Sequence, residues 1–167
     1  EMSASLVGSE MCIRDSCIGA GTVLTLEMAK EAVDAGAKFL VSPGFDDEIV
    51  EWAVGYKIPI FPGIVSPSEI MRAQKYGLKV VKFFPAEAAG GVKMLKALKG
   101  PFADMKFIPT GGITAKNIGS YLDLPNVVAC GGSWICPSQF IREHRFEEIT
   151  RLTKEAAGFA IHLGRRL

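Results

Sequence analysis

The segment Val80-Val81-Lys82-Phe83-Phe84-Pro85 places a single amine inside an apolar run. Strand alternation puts Val80, Lys82 and Phe84 on one face, and Val81 and Phe83 on the other. Val81 and Phe83 suit a covering helix layer, which turns Lys82 inward with Phe84 beside it. An ammonium held away from water gives up its proton more easily. The neutral amine can then attack a carbonyl carbon and form an imine. The competing reading is a lysine at a strand end that snorkels to solvent. Lysine is rarely buried without a purpose, so the strand deserves a chemical reading beside the structural one.

Two glycine turns offer a second kind of chemistry. They are Pro109-Thr110-Gly111-Gly112-Ile113 and Cys130-Gly131-Gly132-Ser133-Trp134. Glycine lets a backbone approach an anion closely, and exposed N–H groups before a helix attract phosphate. Ser133 adds a hydroxyl donor. Glycines that merely make tight turns are the plainer alternative. The position of both loops, after the last two apolar runs, favours phosphate, because barrels often bind it after strands seven and eight. Thr22, closing Gly19-Ala20-Gly21-Thr22, could bond a substrate carboxylate or hydroxyl, although such a threonine is usually a cap or turn residue. Ser42-Pro43-Gly44 forms a similar rigid rim.

These residues sit in a repeated unit of apolar run, Gly/Pro turn and helical stretch. The runs are Cys17 to Ala20, Lys38 to Ser42, Pro59 to Phe61, Lys79 to Phe84, Lys106 to Pro109 and Val127 to Cys130. Runs apolar on both faces, alternating with helices, predict parallel strands under helices. Ser66-Pro67-Ser68-Glu69 predicts a helix start with a capping box and Pro at the first helical position, ending at Gly77. Thr25 is placed to cap the helix ending near Gly36, and Thr114 the one towards Tyr121. A last helix is expected from Phe146 to about Ile161, with Ile149, Leu152, Ala156 and Phe159 on one stripe. The fold class is therefore α/β, read as a TIM (β/α)8-type barrel with about six of its eight units present. An open doubly wound sheet is the runner-up, disfavoured by the absence of GxGxxG after the first run.

Composition narrows the partners. With 49% apolar and 22% charged residues the 167-residue chain is globular. A net charge of +1, with no basic patch, points to neither nucleic acid nor an anionic membrane. No apolar run reaches spanning length, and no secretory signal is recognisable. Cys12, Cys17, Cys130 and Cys136 make no zinc spacing and no CxxC, so they read as reduced cysteines of a cytosolic protein. His144 and His162 read as surface residues. No metal site is expected.

Taken together, GAGTVL (19–24), SPG (42–44), PIFPG (59–63), KFFPAE (82–87), GGVKMLKALKGPF (90–102), PTGGI (109–113) and GGSW (131–134) stand in one order. That order resembles the 2-keto-3-deoxy-6-phosphogluconate aldolase family, also called 4-hydroxy-2-oxoglutarate aldolase. KFFPAE with PTGGI and GGSW is the specific combination; the likeness runs from residue 18 to about 158. It implies a metal-free, cofactor-free class I aldolase of the class I aldolase barrel type, with Lys82 as the imine-forming residue. Phe84 would line the pyruvyl pocket, Thr22 and Thr110 would contact substrate, and Pro43 would stand at the rim. Gly111, Gly112, Gly132 and Ser133 would hold the phosphate. The implied reaction splits 2-keto-3-deoxy-6-phosphogluconate into pyruvate and glyceraldehyde 3-phosphate, with 4-hydroxy-2-oxoglutarate as a second substrate giving pyruvate and glyoxylate. The implied partners are a small phosphorylated keto acid and, in a cytoplasmic homotrimer, further copies of the chain. A phosphogalactonate aldolase and an inactive phosphate-binding fragment are the alternatives.

Residues 1–16, EMSASLVGSEMCIRDS, carry no strand run, amphipathic helix or linker composition. They read as a non-family leader, foreign or disordered, ahead of a barrel domain at 17–167 lacking its first two strands. The family resemblance places a general acid/base glutamate and a carboxylate-binding arginine on the second of those strands. Glu10 and Asp15 are not taken as substitutes. Glu87 lies one turn beyond the Lys82 strand, with no argument that brings it to substrate.

Overall fold

The structure is a computed structural model that describes residues 17–162, the last three of them by backbone alone. The readings of residues 1–16, of Cys12 and of the His162 side chain fall outside the described residues. The chain divides after Lys82 into two compact units.

The first unit alternates short parallel strands with nine-residue helices. β1 (Ala20–Gly21), β2 (Leu40–Val41) and β3 (Ile60–Phe61) lie side by side in chain order, with Ala20 opposite Leu40 and Leu40 opposite Ile60. Helix α1 (Leu26–Asp34) starts where the Thr25 side chain accepts the Met28 N–H, as the sequence predicts. Helix α2 (Asp47–Gly55) is capped in the same way by Asp46, which accepts from Ile49 N–H. Their inward faces, Ala29 and Ala32 on α1 and Ile49, Val50 and Ala53 on α2, close over Leu40 and Ile60. Small residues on α1 let the helix lie close to the strands.

The Pro59-to-Phe61 run continues further than expected. A separate strand β4 (Gly63–Ile64) follows β3 after one residue. Pro62 separates the two because it has no N–H to give to a ladder. Its carbonyl still serves, accepting the Lys82 N–H at 2.9 Å. Helix α3 (Pro67–Lys75) then begins with the predicted capping box: Glu69 N–H donates to Ser66 Oγ, and Ser66 N–H donates to Glu69 Oε2. The chain leaves α3 through Gly77 at φ 74°, a left-handed value that suits glycine after a helix. Ser66→Ala removes the cap and is expected to cost about 1 kcal/mol in a urea melt, with an unchanged slope.

Strand β5 (Val80–Phe83) contributes its first three residues to the first unit and Phe83 to the second. In the second unit, β6 (Lys106–Pro109) follows helix α4 (Gly91–Lys99), and Phe83 meets Phe107 edge to face. Thr110 N–H donates to Phe83 O. The expected strand from Val127 to Cys130 is not a strand. Among the described residues this stretch carries two parallel bridges, Phe107 with Val127 and, one residue past the expected run, Thr110 with Gly131. Between the bridges one side advances three residues and the other four, so an extra residue breaks the ladder. Val128, in that gap, is exposed.

Helix α5 (Ile118–Leu122) also begins later than predicted. Asn117, not Thr114, stands at its N-cap position. The Asn117 side-chain oxygen takes the Thr114 N–H at 2.7 Å, which ties up the residues ahead of the helix. A 3-10 turn (Ser133–Ile135), α6 (Ser138–Arg142) and α7 (Phe146–His162) complete the second unit. Ile149, Leu152, Ala156 and Phe159 are half-buried along one stripe of α7, as predicted. His144 is exposed, and among the described residues Cys17, Cys130 and Cys136 form no disulfide. Among the described residues no helix is long and apolar enough to cross a membrane.

Candidate active site

Lys82 is the only lysine among the buried residues described, at 9% exposure. It lies between Val81 and Phe83, both fully buried. Burial lowers its pKa from the ordinary 10.5, because removing the ammonium from water disfavours the charged form. At any pH below 10.5 a larger fraction is therefore neutral amine than for a free lysine. Modification of Lys82 by an amine-selective reagent is accordingly expected to rise with pH along a curve centred below 10.5, which rates of labelling across pH would reveal.

In the same unit Thr22 follows β1 with φ 61°. A β-branched residue in the left-handed region is strained by roughly 1–3 kcal/mol, and such strain gathers at functional positions. The residue is held there by its neighbours: Val23 is fully buried and its N–H donates to Val41 O at 3.1 Å. Thr22 itself is exposed. Pro43 closes β2, where Ser42, buried, donates from Oγ to Gly44 O at 2.8 Å and fixes the turn. Val23, Leu24, Ser42, Pro43 and Phe45 line a mostly apolar hollow of about 220 Å³. Lys82 is not among its lining residues.

The second unit brings most of its predicted residues together. The bridge from Thr110 to Gly131 sets the two glycine loops side by side. A Cβ on Gly131 would lie 2.7 Å from Thr110 Oγ1, so glycine is what lets them approach. Gly111 and Gly112 both have positive φ, 96° and 80°. A Cβ on Gly111 would fall 3.2 Å from the Phe84 ring, so Phe84 is packed directly on the loop. The loop's carbonyls are occupied: Thr110 O by Ala86 N–H, Gly111 O by Glu87 N–H and Gly112 O by Asn117 Nδ2. Its N–H groups are not. Among the described residues no hydrogen bond takes the N–H of Gly111, Gly112, Gly132 or Ser133. Carbonyls pinned to the protein with N–H groups left over make a backbone suited to an anion. Ser133 is exposed, and Gly132 lies against the Trp134 ring where no Cβ would fit.

Two contributors are hard to see in the sequence. Asn117 braces Gly112 from five residues away; an Asn shortly before a helix is the only hint. Glu87 packs its stem under Gly112 and receives the Tyr121 hydroxyl. That partnership spans 34 residues and leaves no local signature. Among the described residues no His, Cys, Asp and Glu cluster could hold a metal.

Known proteins resemble this chain over most of its length. The family model for KDPG and KHG aldolase matches residues 6–152. The 2-dehydro-3-deoxy-phosphogluconate aldolase of Treponema pallidum is 47% identical over 157 residues, covering 90% of this chain and 75% of that protein. The KDPG aldolase of Legionella pneumophila, solved with pyruvate captured as a covalent carbinolamine, superposes with a TM-score of 0.89 at 44% identity, over 92% of this chain and 75% of that one. The Zymomonas mobilis aldolase solved with 3-phosphoglycerate gives a TM-score of 0.85 at 35% identity, over 94% and 73%. The chain belongs to the KDPG and KHG aldolase family.

Proposed function

We propose that this chain is a class I aldolase that cleaves 2-keto-3-deoxy-6-phosphogluconate reversibly to pyruvate and glyceraldehyde 3-phosphate. Buried Lys82, its pKa lowered by desolvation, is the observation that carries the reading. Its neutral Nζ attacks C2 of the keto acid, and loss of water from the carbinolamine gives the protonated imine. The C4 hydroxyl gives up its proton to water. The C3–C4 bond breaks, its electron pair moves into the iminium as an enamine, and the aldehyde departs. Protonation of C3 and hydrolysis of the imine release pyruvate and restore Lys82.

The remaining roles follow the sequence reading. Phe84 lines the pyruvyl group, Thr22 and Thr110 bond the substrate, and Pro43 shapes the rim. The unused N–H groups of Gly111, Gly112, Gly132 and Ser133, with the Ser133 hydroxyl, take the phosphate. The architecture is that of a (β/α)8-type barrel with about six of its eight units, a reading supported by the parallel strands alternating with helices and by the likeness to solved KDPG aldolases. The protein acts as a cytoplasmic homotrimer and uses 4-hydroxy-2-oxoglutarate as a second substrate.

A lactate dehydrogenase-coupled assay tests the substrate. Pyruvate should appear from 2-keto-3-deoxy-6-phosphogluconate and more slowly from 4-hydroxy-2-oxoglutarate. Preference for the 6-phosphogalactonate epimer, or no pyruvate from any of the three, would contradict the assignment.

A further inference from the structure

We propose that Glu87 and Tyr121 are a positioning pair that holds a negative charge away from the Gly111–Gly112 loop and thereby sets the loop's affinity for a phosphate monoester. The inference rests on the phosphate-binding role proposed for that loop. Glu87 lies directly beneath it. Its N–H donates to Gly111 O at 3.1 Å, and a Cβ on Gly112 would fall 2.6 Å from Glu87 Cγ and 2.7 Å from Glu87 Cβ. The loop therefore rests on the aliphatic stem of an acidic residue. Were the carboxylate to swing towards the loop, it would compete for the same N–H groups and repel a phosphate dianion.

Tyr121 prevents that swing. Its side chain is fully buried, and its hydroxyl donates to Glu87 Oε1. The same oxygen lies 3.2 Å from where a Gly91 Cβ would stand, and the Tyr121 hydroxyl 2.8 Å from it. Gly91 is thus the residue that leaves room for the pair. It is also the first residue of α4, whose N-cap, Gly90, supplies no side-chain bond. The carboxylate is parked at the positive end of that helix, where a negative charge is favoured. Burial first, and Glu87 second, push the Tyr121 phenol pKa upward, so the hydroxyl stays protonated and remains a donor.

Calorimetric titration of the whole chain with 3-phosphoglycerate as the probe tests the pair. Tyr121→Phe should weaken binding about tenfold, because the released carboxylate reaches the loop. Glu87→Gln should bind as tightly as the parent or more so, since its amide oxygen still accepts from the phenol and carries no charge. The double variant should recover most of the affinity that Tyr121→Phe loses. A purely structural pair predicts the opposite, a double variant at least as weak as Tyr121→Phe. That result, or a tenfold loss in Glu87→Gln alone, or no binding of the probe by the parent, would overturn the pair. If Tyr121→Phe does not fold, Glu87→Gln alone decides. Borohydride trapping of pyruvate on the parent separates the two levels. Label on Lys82 with equal phosphate affinity in all variants removes the positioning pair and leaves the aldolase standing; no label on Lys82 removes the aldolase reading instead.

Discussion

Replacing Lys82 with methionine is expected to lower aldol cleavage by on the order of 10⁴-fold or more, the scale of losing a covalent nucleophile. Methionine keeps the length and the apolar stem, so the strand between Val81 and Phe83 retains its packing. What disappears is the amine, and with it the only electron sink in the proposed reaction. Lys82→Arg should be no better. A guanidinium keeps the charge but does not deprotonate, so it cannot add to a ketone. The decisive comparison is kcat under saturating substrate, with circular dichroism confirming that both variants fold. A Lys82→Met protein retaining a tenth of parental turnover would rule out the imine.

Gly63→Ala should produce the largest loss of stability among single glycine replacements in the first unit's strands. A Cβ at Gly63 would stand 2.0 Å from Pro43 O, 2.3 Å from Pro43 C and 2.9 Å from Gly44 N. All three are backbone atoms, so no side chain can rotate away. The ends of β2 and β4 would have to separate. We expect a loss of about 4 kcal/mol, read as a fall of roughly 10 °C in Tm. The displacement is not silent chemically. Gly63 follows Pro62, whose carbonyl holds the Lys82 N–H, and it bears on Pro43 at the proposed rim. Gly55→Ala is the matched control. Its Cβ would meet nothing within 4 Å, so it should gain a few tenths of a kcal/mol from a stiffer unfolded chain. If the two variants melted together, steric approach at Gly63 would not be what fixes β4 against the Pro43 turn.

Much of this is legible in the sequence wherever the determinant is local. Ser66-Pro67-Ser68-Glu69 specifies its own helix start, because every group in the capping box lies within one turn. The apolar run around Lys82 predicts a covered strand, and Val81, Lys82 and Phe83 are all buried. The glycine pair at 111 and 112 announces positive φ by residue type alone. What escapes is set by geometry between distant segments. The broken ladder after Val127 arises from a one-residue mismatch between two bridges, which no property of VVAC reveals. Strand β4 is hidden because Pro62 looks like a terminator, and only the structure shows that the chain resumes its extended course. Thr114 is a reasonable cap until Asn117 takes its N–H. Glu87 has no visible role until Tyr121 is found across 34 residues.

The proposed reaction turns on one covalent bond. Incubating the protein with pyruvate and sodium borohydride, then mapping its peptides by mass spectrometry, reads that bond directly. A single reduced pyruvyl group on Lys82, lost in Lys82→Met, is the predicted result. An unlabelled Lys82, or label carried instead by its exposed neighbour Lys79, would contradict it.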